Sequence, residues 1–106
     1  MKKIFSEANL LYSDGKFSAA IEKLDNLLLN YTLSLRIKLS IRVLKSLSLS
    51  QEKKHDEALE IADSIIKVSK KNNFNLNIVD GLLSKAAIEN DRGDLNKSIA
   101  NKFELA

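Results

Sequence analysis

The sequence contains no cysteine, no proline and no tryptophan, a single histidine and only three glycines among 106 residues. Without cysteine there is no disulfide framework, no thiolate nucleophile and no thiolate-bound zinc, and one imidazole cannot supply a multi-histidine metal site. No cofactor and no metal are therefore expected. Long apolar runs are also missing: Leu27-Leu28-Leu29 is typical, far short of the roughly 20 residues needed to span a bilayer. Met1-Lys2-Lys3-Ile4-Phe5 begins like a secretory signal, but Ser6, Glu7 and Asn9 interrupt it before an apolar core develops. The expected setting is the cytoplasm, without a membrane.

Charge of one sign is scarce too. The 17 basic and 14 acidic side chains leave +3, which by itself argues little for nucleic acid. The excess is local: residues 33 to 54 hold six bases and one acid. What is present, 44% hydrophobic and 29% charged residues, is the composition of a soluble domain, and the length suits one core spanning 1-106.

Absence of proline lets long segments run as helices, and the few breakers fall at intervals. Ser13-Asp14-Gly15-Lys16 and Asn90-Asp91-Arg92-Gly93-Asp94 offer glycines for left-handed helix caps, while Gln51-Glu52-Lys53-Lys54 and Lys71-Asn72-Asn73 are short polar breaks. These predict six helices at about 2-13, 17-30, 34-51, 55-71, 75-91 and 95-105. The second carries an apolar stripe at Phe17, Ala20, Ile21, Leu24, Leu27 and Leu28, and the fourth repeats it at Ala58, Leu59, Ala62, Ile65 and Ile66. In the third, Leu33, Leu35, Ile37, Leu39, Ile41 and Val43 alternate with polar residues, so a strand is the alternative. Breakdown of the alternation at Val43-Leu44 and the lack of a partner strand favour a helix.

The turns also superimpose. Residues 14-22 align with 52-60 and 92-100, at offsets of 38 and 40, and small residues Ala8, Ser46 and Ala86 coincide in the preceding helices, with Phe5, Val43 and Leu83 three residues earlier. The unit is a helical hairpin. The pattern resembles the tetratricopeptide repeat family, whose small, turn-glycine, aromatic and packing positions are met by Ala8, Gly15, Phe17, Ala20, Ile21 and Leu24. Three features depart from it. The spacing exceeds the usual 34 or so residues, like the longer-helix variants of some bacterial regulators; the proline ending each repeat is absent; and Glu7, Lys45 and Lys85 occupy a normally apolar position, which leaves the register of each first helix open.

The resemblance implies an all-α fold of three antiparallel hairpins, about 2-30, 34-71 and 75-105, stacked as a short right-handed solenoid. It implies a concave groove for a peptide or partner helix along Phe5, Asn9, Tyr12, Val43, Leu47, Leu83, Ala87 and Asn90. The family's clamp for a C-terminal carboxylate is not expected, because Phe5, Leu44, Asp80 and Ser84 stand at its positions beside Asn9. The bland alternative is that the groove residues simply fill a small bundle.

Other features have plain explanations. Lys38, Arg42 and Lys45 share one helical face that could meet phosphates, but no interleaved aromatics accompany them, so nucleic acid ranks below protein as a partner. His55 falls at an aromatic packing position. Asp56, Glu57, Glu60 and Asp63 read as a solvent face, and Arg92-Gly93-Asp94 as a helix-ending turn. At the chain's end Ile99, Phe103 and Leu105 leave an apolar stripe without a following helix, a candidate self-association surface. The expectation is a non-catalytic protein-interaction module; the alternative is a nucleic-acid-associated regulator using Lys38, Arg42 and Lys45.

Overall fold

A computed structural model describes residues 2–93 of the chain. They form five helices, α1 (Lys2–Ser13), α2 (Phe17–Asn30), α3 (Leu35–Gln51), α4 (His55–Lys71) and α5 (Asn75–Arg92), and no strand among the described residues. The expected spans agree to within a residue. The strand alternative for 34-51 is overturned: these residues are one helix, opened by Ser34, whose Oγ accepts the Ile37 N–H at 3.3 Å. The expected sixth helix, with Ile99, Phe103 and Leu105, lies outside the described residues.

Three of the four turns share one conformation. Gly15, Lys53 and Asn73 are left-handed at φ 78°, 68° and 57°. The residue after each donates its N–H five residues back, Lys16 to Leu11 at 2.8 Å, Lys54 to Leu49 at 3.0 Å and Phe74 to Ser69 at 2.9 Å. Those bonds close Schellman caps, and Lys16, Lys54 and Phe74 then start the next helix at φ near −90°. Gly93 is left-handed as well. Lys53 thus occupies the place that glycine holds at 15 and 93, as the aligned turns predicted. The connection between α2 and α3 differs, running through an extended Tyr31.

Sequential helices pack as antiparallel neighbours, and α3 touches all four others. One core cluster joins α1, α2 and α3 through Ala8, Leu24, Leu27, Ile41 and Leu44; another joins α3, α4 and α5 through Leu49, Ala58, Ala62 and Ile88. The anomalous charges at 7, 45 and 85 are explained by ion pairs with neighbouring helices. Glu7 pairs with Lys23 at 2.9 Å, Lys45 with Asp25 at 2.7 Å and Lys85 with Asp63 at 3.0 Å. Lys23 holds the Glu7 carboxyl below its ordinary range, first by its hydrogen bond and then by its charge. That pair is complete above the ordinary glutamate pKa and is lost as pH falls through the lowered one.

The α2–α3 and α4–α5 interfaces repeat each other. Asp25–Lys45 corresponds to Asp63–Lys85, and the Ser18–Glu52 hydrogen bond corresponds to Arg92–Asp56 at 3.1 Å. Each correspondence shifts one partner by 38 residues and the other by 40, matching the offsets in the sequence.

Helices α3 and α5 approach over hydroxyls. Ser46 is wholly enclosed and its Oγ donates to the Val43 carbonyl at 2.7 Å; with that proton committed, Ser84 Oγ donates to Ser46 Oγ at 2.8 Å. Replacing Ser46 by Ala strands the buried Ser84 hydroxyl and lowers unfolding stability by about 1–3 kcal/mol. Ser46→Ala with Ser84→Ala together costs less than the sum of the two, which a denaturant-based double-mutant cycle reads directly.

Gly81, inside α5, has a different reason to be glycine from that of the turn glycines. A Cβ there would lie 2.8 Å from Ile66 Cγ1 and 3.2 Å from Ile65 Cγ2 on α4. In an open helix Gly→Ala stabilises by roughly 1 kcal/mol. Here Gly81→Ala lowers stability by about 1–3 kcal/mol through overpacking, measured by urea unfolding.

Candidate functional site

All eight expected groove residues remain at least partly exposed, on α1, α3 and α5. Phe5 and Tyr12 lean on the first core cluster, and the Tyr12 ring meets Phe17 edge-on at 5.4 Å. Asn9 is exposed and its Nδ2 donates to the Phe5 carbonyl at 3.2 Å. Val43 and Leu47 are half-buried on α3, whereas Leu83, Ala87 and Asn90 are exposed on α5.

The concavity lies nearer the N-terminal ends of these helices than the repeat alignment implied. A cavity of about 210 Å³, almost wholly apolar, is lined by Lys2, Phe5, Ile37, Ser40 and Ile41. A second, of about 460 Å³, continues across α3 to α5 between Arg36, Ile37, Ser40, Asn77 and Asp80. Ile37 and Ser40 line both, so the two cavities adjoin across α3 and together are called the trough. Of its lining residues only Phe5 belonged to the expected groove. The alignment pairs Phe5 with Val43 as equivalents within a repeat, but equivalence is not contact: Phe5 faces Ile37 and Ile41. The signal for those residues was already present in the i, i+4 spacing of Ile37 and Ile41.

At the trough's mouth the Arg36 guanidinium lies over the Phe74 ring, 4.5 Å from its centroid. Asn77 Nδ2 reaches the Arg36 carbonyl and Ser40 Oγ, each at 3.5 Å. At the opposite end Asp91 Oδ2 accepts from Ser50 Oγ at 3.0 Å and Gln51 Nε2 at 3.2 Å. Burial, and after it the Asp91 charge, push the Tyr12 phenol above its ordinary value. Since α1 and α5 are not in packing contact, that influence is exerted across the face of α3.

The basic face is less open than the sequence suggested. Lys45 turns to Asp25 on α2, and Lys38 and Arg42, on the same side, are half-buried and in no ion pair among the described residues. His55 is half-buried at the start of α4. Among the described residues no group of three or more His, Asp or Glu side chains is placed to hold a metal ion, and no helix is long and apolar enough to cross a membrane. Comparison with protein-family models, curated proteins and solved structures found no match.

The influence of Asp91 on Tyr12 is measurable. In a Tyr31→Phe background, an ultraviolet alkaline titration places the Tyr12 phenol above the ordinary value of about 10. Asp91→Asn lowers it without restoring the ordinary value, because burial is the larger cause. A titration unmoved by Asp91→Asn would place the two groups apart.

Proposed function

We propose that the chain is a non-catalytic, tetratricopeptide-like interaction module of three stacked hairpins, acting in the cytoplasm, that holds a protein segment in the trough formed by α1, α3 and α5. The observation that carries this reading is the adjacency of two open cavities on either side of Ile37 and Ser40. A trough open along its length suits a chain segment, whereas enzyme sites are usually closed clefts with convergent polar groups. The repeated ion pairs of the α2–α3 and α4–α5 interfaces support the hairpin-repeat description. The nucleic-acid reading is weaker because Lys45 is engaged by Asp25.

Ile37 is 39% exposed in the trough and Leu10, at 65%, does not line it. Panning a random displayed 12-mer library on the chain yields binders that lose at least tenfold in affinity to Ile37→Glu, of the order expected when an apolar anchor meets a charge, and keep their affinity for Leu10→Glu. Binders that ignore Ile37→Glu would overturn the trough assignment.

A further inference from the structure

The charges around the trough are distributed unevenly, and this unevenness specifies what the trough takes. Short turns bring the N-terminal ends of α1, α3 and α5 together with the C-terminal end of α4. The first turns of α1, α3 and α5 contain no acid. They contribute Lys2, Lys3, Arg36 and Lys38, and the last turn of α4 adds Lys71. Four of the described acids pair with bases away from the trough: Glu7 with Lys23, Asp25 with Lys45, Asp63 with Lys85 and Asp56 with Arg92. Asp80 is the one acid that lines the trough.

The two cations at the trough are placed at its walls. Lys2 lines the apolar cavity directly, and Arg36 lines the second with its guanidinium stacked on Phe74, a ring that brings no counter-charge. The unpaired N–H groups at the starts of α3 and α5 add positive potential of the same sign. Beyond the trough, at the far end of the same face, stands the Asp91 carboxylate, opposite in sign to Lys2 and Arg36.

We propose, resting on the reading of the trough as a protein-segment site, that its partner is an acidic segment with an apolar anchor. The anchor enters the cavity between Phe5, Ile37 and Ile41, and Asp or Glu side chains beside it meet Lys2 and Arg36. The recognition is of side-chain carboxylates and does not require a chain terminus. The polarity also orients the segment: its acidic end lies over the N-terminal ends of α1, α3 and α5, and its neutral or basic end lies towards Tyr12 and Asp91.

Three pools of synthetic 12-mers test this. They have the same leucine, isoleucine and phenylalanine content and differ only in whether the remaining positions are Asp/Glu, Ser/Asn or Lys/Arg. By fluorescence anisotropy at low salt the acidic pool binds about tenfold or more tighter than the basic pool, and the gap narrows as salt rises. Lys2→Glu with Arg36→Glu removes the gap, and Asp80→Asn, which deletes the one opposing charge, widens it. A nitroxide on the acidic end broadens Ile37 resonances more than Tyr12 resonances. If the neutral pool binds as well as the acidic one and remains sensitive to Ile37→Glu, the charge inference falls while the trough stands. If no pool binds, both fall. If single-stranded oligothymidine displaces the acidic pool from the wild type and binds Ile37→Glu equally well, the partner is nucleic acid and the inference is overturned.

Discussion

Everything in this structure depends on how α3 is buried. A helix in contact with four others has little solvent face to which polar residues can be assigned, yet its sequence is rich in serine. The conflict is resolved locally. A helical serine can return its proton to a carbonyl in the preceding turn, as Ser46 does to Val43 and Ser48 to Leu44, so its hydroxyl enters the interior already satisfied. Serine then acts as a small spacer, allowing close approach where leucine would hold the helices apart. Ser46 against Ser84 is the tightest such contact between α3 and α5, and Ser50 extends the same seam to Asp91.

The alternation of apolar and polar residues in α3 follows from this. Leu35, Ile37, Leu39, Ile41 and Val43 alternate like a strand, but α3 has apolar contacts around most of its circumference, with hydroxyls wherever a neighbour comes close. Periodicity reports amphipathicity, and a helix packed on several sides has little to report. The helical ends were legible because they depend on backbone chemistry: left-handed Gly15 and Gly93, and Lys53 at the equivalent position. The 38- and 40-residue offsets were legible for the same reason.

Partner choice was not legible. Glu7, Lys45 and Lys85 looked like intrusions at an apolar position because the sequence cannot show Lys23, Asp25 and Asp63 standing opposite them. Gly81 was equally silent, its requirement coming from Ile65 and Ile66 on another helix. The site followed the same rule. The helices that line the candidate site, α1, α3 and α5, are those of the groove expected from the repeat, and of the expected groove residues Phe5 lines a cavity while Tyr12 lines neither. Where that face hollows out depends on how far apart the helices stand at each level, which alignment of equivalent positions does not encode.

That spacing has a physical cause. In the C-terminal halves of α3 and α5 the seam is closed by contacts of 2.8 Å between Ser46 and Ser84 and 3.0 Å between Ser50 and Asp91. In the N-terminal halves the only side-chain hydrogen bonds described between them are those of Asn77, both at 3.5 Å, the outer limit of such an interaction. The pair is pinned at one end and held loosely at the other, and the trough opens at the loose end. Both cavities lie there, beside the first turns of α1, α3 and α5, where helix starts and the basic side chains of those turns combine. The hydroxyl seam that allows α3 to be buried therefore also holds α3 and α5 closest at the end away from the cavity between them, and that cavity opens beside Arg36.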